Sequence, residues 1–221
     1  MERINYGNIK SILMKLPQLI LAFFILSVGM ELMIKADLGL NPWGTFTLGL
    51  VNITGIQFGT LTQLIGIALL GGMVLLKVYP GIATLLDMFF IGIFINKIDS
   101  LGIIHTPANF LGRLEMCLIG LIIFCYGIYI YYRCGLGTGP RDSIVIGIMR
   151  RTGKGIHIVK PLFEGTVFII GVIIGGKYGI GTIIITLFTG KLLDIVFKLH
   201  NFDIINFTQM DLKKTVSYII D

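Results

Sequence analysis

The sequence predicts an all-α membrane protein built as a two-fold internal repeat of helical units, with about six transmembrane helices and two short half-helices that begin at Gly/Pro breaks. Three observations carry that prediction. Of the 221 residues, 55% are hydrophobic and only 14% charged, where a soluble domain carries roughly 25% charged residues. The mean hydropathy is +0.89, and the apolar residues come in long runs rather than in a two-residue alternation. Finally, residues 15–98 align without a gap onto residues 113–196, at a constant offset of 98.

A helix needs about 20 apolar residues to cross the hydrocarbon core. Runs at 16–34, 58–76, 82–97, 114–132, 158–176 and 180–197 meet that need. Two further apolar segments, 41–53 and 139–150, are about a dozen residues long and fall short at ~1.5 Å rise per residue. Each opens on a stretch bearing Gly and Pro, and each ends just before a Thr-Gly pair. They read as re-entrant or interfacial half-helices. Residues 1–200 thus form a single polytopic membrane domain, and 201–221 read as a cytoplasmic tail.

The repeat rests on where the matches fall. Leu38-Gly39 meets Leu136-Gly137, Pro42 meets Pro140, Gly49 meets Gly147, and Thr54-Gly55 meets Thr152-Gly153. Gly81-Ile82 with Thr84 meets Gly179-Ile180 with Thr182. These are turn and close-packing residues, which mark backbone geometry rather than bulk hydrophobicity. Three spans plus a half-helix per copy would invert the copies in the membrane, whereas four spans per copy would leave them parallel. The stretch from Arg133 to Ile156 also holds Arg141, Arg150, Arg151 and Lys154, while its counterpart from Lys35 to Phe58 holds Lys35 alone. Opposite charge bias in equivalent loops favours inversion. Either way both termini face the cytoplasm, which Arg3, Lys10 and Lys15 at one end and Lys198, Lys213 and Lys214 at the other also favour.

The net charge of +6 belongs to the same pattern: the basic residues flank apolar runs, as the positive-inside rule and anionic lipid require, so the chain is not read as a nucleic-acid binder. Cys117, Cys125 and Cys134 have no CxxC spacing and no neighbouring His, so no metal or disulfide framework is expected. No cofactor is expected either. His105, His157 and His200 lie apart, and no HExxH, GxSxG or phosphate-binding loop occurs; the chain does not read as an enzyme.

The residues that could carry function lie at the two breaks and inside the apolar runs. Pro suits the first position of a helix because its missing N–H would be unpaired there anyway. Pro42 with Trp43, and Pro140 with Arg141 and Asp142, therefore mark two helix starts whose free amides could face a polar or anionic solute. Asp142 falls three positions into its helix, where a carboxylate can also cap those amides. Among ionisable residues inside apolar runs, which default to functional candidates, Asp87 lies deepest. Glu31 lies near the headgroup zone, and Glu164 stands one turn after Lys160, where a local ion pair would explain it. Thr84 and Thr182 most simply bond back to the preceding turn. The site expected is thus Pro42, Trp43, Asp87, Pro140, Arg141, Asp142 and Glu164.

The segments LGLNPWGTFTLGL, GLGTGPRDSIVIGI and GIGTIIITLFTGKLLDIVF resemble the YczE/YyaS/YitT-type bacterial integral membrane proteins, over about residues 15–198. The resemblance implies a multi-pass protein of the bacterial cytoplasmic membrane and implies no particular activity. Family members often carry Asp after the first Pro-Trp; here that position is Gly44, while the second-copy Asp142 is kept. The leading functional reading is a small transporter or permease for a small polar or anionic solute, with Asp87 or Glu164 as candidates for proton coupling. The alternative is a non-transporting membrane scaffold or regulator. The lipid bilayer is the expected partner, and a homodimer would suit a chain whose few spans line a cavity only narrowly.

Overall fold

The computed structural model describes residues 6–203 and 209–220, so Arg3 and part of the tail lie outside the described residues. All regular structure among the described residues is helical: α1 (Tyr6–Ala36), α2 (Pro42–Thr54), α3 (Phe58–Leu75), α4 (Ile82–Ser100), α5 (Phe110–Cys134), α6 (Pro140–Thr152), α7 (Ile156–Ile173), α8 (Ile180–Leu199) and α9 (Leu212–Ile220). Five of them, α1, α3, α5, α7 and α8, are long and apolar enough to cross a membrane. The sixth expected span, α4, has the length at 19 residues but carries Asp87, Lys97 and Asp99.

The two short helices are made by local chemistry. In α2 the Asn41 side chain caps the start by accepting from the Gly44 N–H at 2.8 Å, with Pro42 in the first turn. The helix stops at Gly55, whose φ of 69° is the left-handed conformation glycine adopts without strain. In α6, Gly139 and Pro140 open the helix and Gly153, also at φ 69°, closes it. Each has 13 residues, or ~20 Å at 1.5 Å per residue, short of a ~30 Å hydrocarbon core.

Helices α1 and α5 pair along their length in opposite directions, because small residues let their backbones touch. A Cβ added at Gly29 would lie 2.6 Å from the Phe124 nitrogen, and one at Gly127 would lie 2.9 Å from the Leu26 nitrogen. The ends of the bundle follow from this pair. Where α1 ends, α4 also ends (Lys35 to Asp99, 2.5 Å) and α5 begins (Arg113 to Asp37, 3.1 Å). The start of α8 joins them through the Gly181 N–H donating to the Leu38 carbonyl at 2.8 Å. At the opposite end, where α5 finishes, the Ala83 N–H at the start of α4 donates to the Leu136 carbonyl at 2.9 Å. The Leu38–Gly181 and Leu136–Ala83 bonds therefore occupy aligned positions at opposite ends. Helix α9 closes the end that holds the start of α1: Leu212 N–H donates to the Pro80 carbonyl, and Asn8 bonds the Tyr218 carbonyl.

Glu31, five residues before the end of α1, is 1% exposed inside the bundle and 3.6 Å from Lys35. One expectation is corrected in detail. Thr84 and Thr182 do not bond back to a preceding carbonyl. Each hydroxyl accepts from the N–H three residues earlier, Gly81 at 3.0 Å and Gly179 at 3.2 Å, so each caps its helix.

Candidate functional site

The starts of α2 and α6 meet inside the protein. The Arg141 guanidinium lies over the Trp43 ring, 4.8 Å from its centroid, within reach of a cation–π attraction. Trp43 is 7% exposed and also packs edge-on against Phe163 at 5.5 Å. Each of the two residues follows the opening Pro of its helix, and they align in the repeat. The break before α6 is held by side chains: the Thr84 hydroxyl donates to the Thr138 carbonyl, and the Ser143 hydroxyl donates to the Gly139 carbonyl at 3.1 Å. The tail contributes as well, since Gln209 accepts from the Gly137 N–H at 3.2 Å.

Beside this junction lies a cavity of about 170 Å³, bounded by α1, α2, α3, α4, α5 and the start of α6. Asp87, Pro140, Arg141 and Asp142 all line it, with Gly139 packed against the Asp87 carboxylate. Most of its remaining wall is apolar, including Met88, Ile91 and Phe124. Asp142 does not cap the α6 amides. Its two oxygens instead accept from the Tyr132 hydroxyl at 3.1 Å and the Lys160 ammonium at 3.3 Å. Tyr131, also on the wall, is 5% exposed, and its hydroxyl has no hydrogen-bond partner among the described residues.

The structure divides the expected site in two. Pro42 and Glu164 do not reach the first cavity; they line a second, of about 750 Å³, between α7 and α8. Lys160 lines this second cavity too. It stands 3.9 Å from Glu164, the expected local pair, but is closer to Asp142 on the other side. The Lys160–Asp142 bridge, which joins a residue of each lining, therefore forms the partition between the cavities, with the Arg141–Trp43 contact beside it. Sequence reasoning passed over Tyr131 and Tyr132, which lie in an aromatic run at the end of α5, and took Lys160 only as a partner of Glu164. One signal was available for Lys160: its aligned position is Thr62, so a charge appears in one copy only.

A family model of unknown function (DUF6198) matches residues 13–198. The chain belongs to that family. Its relatives include the uncharacterized membrane protein YczE of Bacillus subtilis, 32% identical over 171 residues, 76% of this chain and 79% of that one. An uncharacterized protein of Haemophilus influenzae is 31% identical over 175 residues, 79% of each chain. The uncharacterized protein YyaS of Bacillus subtilis is 26% identical over 179 residues, 79% of this chain and 88% of that one. No solved structure matches. The chain is thus a YczE/YyaS-type membrane protein with several apolar helices, as the Pro-Trp and Gly-Pro-Arg-Asp breaks led us to expect, and those same breaks supply the residues at the cavity partition.

Proposed function

We propose that this YczE/YyaS-type protein is a small-solute permease of the bacterial cytoplasmic membrane, made of two inverted copies of one unit. The observation that carries the reading is the meeting of two half-helix starts, Trp43 of α2 and Arg141 of α6, beside a cavity that Asp87, Arg141 and Asp142 line inside an apolar bundle. The first turn of a helix leaves amides without intrahelical partners, and in lipid those groups need protein, water or solute. Broken helices at matching positions of two repeats are the usual architecture of a transporter site.

Inversion is supported by chain direction. Aligned helices α1 and α5 run antiparallel, and the aligned bonds at Leu38 and Leu136 fall at opposite ends. The two cavities also correspond. Phe58, Thr62, Gly66 and Pro140 on the first align with Ile156, Lys160, Glu164 and Pro42 on the second. A solute would cross from one to the other by parting Lys160 from Asp142 and lifting Arg141 off Trp43, with no chemical change to the solute. In this reading α4 is the sixth span. Both termini lie in the cytoplasm: the end that holds α9 and the start of α1 carries Lys10, Lys15, Arg150, Arg151, Lys154, Lys213 and Lys214, whereas at the other end Lys35, Arg113 and Lys177 are matched by Asp99 and Asp37.

A ligand that binds only the folded protein raises its unfolding midpoint. Thermal-shift screening of the detergent-purified chain against small acids, amino acids and phosphates is therefore expected to return a ligand whose stabilisation disappears in Arg141→Gln. A screen without hits, or hits that Arg141→Gln retains in full, would overturn the proposal.

A further inference from the structure

The first cavity holds a cation, Arg141, and a carboxylate, Asp87, that attract each other across it without coming into hydrogen-bond or ion-pair contact. Among the described residues the Arg141 guanidinium forms no hydrogen bond and no ion pair, and rests on the Trp43 ring; the Asp87 carboxylate likewise forms neither. Asp142 differs, because Tyr132 and Lys160 already occupy its two oxygens. The Tyr131 hydroxyl, 5% exposed, is a third polar tip without a partner on the same wall. Of the three only Tyr131 is buried, Arg141 and Asp87 being partly exposed to the cavity; native structures rarely leave a buried polar group unmet, and such a group needs a specific reason.

Charge balance narrows the ligand. A lone anion would satisfy Arg141 while adding negative charge beside Asp87. A lone cation would satisfy Asp87 and leave Arg141 unmatched in a desolvated site, where an unpaired charge is costly. A molecule carrying both charges meets both groups and leaves the net charge of the cavity unchanged. The planar guanidinium fork fits a carboxylate in two-point contact, and the α6 amides add donors to the same end. A volume of about 170 Å³ holds about six waters at ~30 Å³ each, so the molecule is small.

We propose that the first cavity binds a small zwitterion of the α-amino acid type, its carboxylate on Arg141 and the α6 start, its ammonium on Asp87, and an apolar side chain against Met88, Ile91 and Phe124. The inference rests on the reading of this cavity as a solute site and adds the class of solute. Trp43 is the single tryptophan of the chain and touches Arg141, so its fluorescence reports occupancy directly. The test titrates the purified full-length protein with L-valine and with two matched analogues that each keep one charge, isovalerate and isobutylamine, following Trp43 emission and the unfolding midpoint. L-valine is expected to half-saturate at a concentration at least tenfold below either analogue. Asp87→Asn is expected to erase its advantage over isovalerate. Isovalerate or isobutylamine acting as strongly as L-valine on the wild type would overturn the zwitterion while leaving a solute site in place. Silence from all three, in protein that remains folded by circular dichroism, would overturn the amino-acid assignment, and the solute site itself would then stand or fall with the thermal-shift screen.

Discussion

Two seams of this protein occupy aligned positions and pack in opposite ways. Helix α3 lies against α4, whereas α7 packs on α2 and α6 and stands away from α8 across the second cavity. The residues explain the difference. On α3 the seam is Gly59, Gln63 and Gly66: Gly59 donates its N–H to the Asn96 side-chain oxygen Oδ1 at 2.8 Å, and the Gln63 side chain donates to the Phe89 backbone carbonyl at 2.9 Å. A Cβ added at Gly92 would stand 2.4 Å from the Gly59 oxygen. On α7 the aligned positions are His157, Pro161 and Glu164, and a Cβ added at Gly190, the partner of Gly92, would meet nothing within 4 Å. One backbone plan thus accompanies a closed seam or an open one as three side chains change: Gly92 and Gly190 are glycine in both copies, but the small residues Gly59 and Gly66 that let helices approach are His157 and Glu164 in the second.

The largest expected effect follows directly. Gly92→Ala forces α3 and α4 apart and is expected to cost about 2–3 kcal/mol, as overpacking does. Gly190→Ala, at the aligned place in the open seam, is expected to be neutral or to stabilise by up to ~1 kcal/mol through helix propensity. Thermal unfolding of the two variants in detergent compares them side by side; equal losses would mean that the seams do not differ. Next in size, Asn96→Ala leaves the Gly59 N–H without its acceptor and is expected to cost about 1–3 kcal/mol, the usual penalty for an orphaned buried donor.

How much of this was legible beforehand depends on the range over which each residue acts. The two half-helices could be read because Pro42, Pro140, Gly55 and Gly153 act on the backbone next to them. The membrane-crossing runs could be read because hydropathy sums along the chain. The partition could not, since Asp142 meets Tyr132 and Lys160 only through the packing of three helices, and a carboxylate three positions into a helix looks locally like a cap. The seam residues were visible in the alignment, but nothing in the alignment said which face of α7 looks toward α8. The burial of Glu31 was hidden for a related reason: its position along α1 says how far it lies from the end of that helix, and the burial comes from its neighbours.

The comparison sharpens if the open seam is given the residues of the closed one. His157→Gly, Pro161→Gln and Glu164→Gly together are expected to draw α7 toward α8, so that cysteines placed at Gly165 and Thr186, which face each other across the cavity, cross-link several-fold faster than in the otherwise unchanged chain. An unaltered rate would show that the seam is held open by something other than these side chains. The smallest effect belongs to the partition itself. Lys160 and Asp142 are each partly exposed, so Asp142→Asn is expected to cost less than about 1 kcal/mol of stability, measured by the same unfolding assay, while solute binding changes far more.

The meeting of the two half-helix starts supports everything proposed here, and proximity measures it most directly. Cysteines replacing Trp43 and Arg141 in the otherwise intact chain can be challenged with a short bismaleimide in native membranes, the native Cys117, Cys125 and Cys134 being buried and giving little background. The account predicts an intramolecular cross-link that forms as readily as one between positions 26 and 127 on the α1–α5 pair. A chain that cross-links at 26 and 127 but never at 43 and 141 would contradict it.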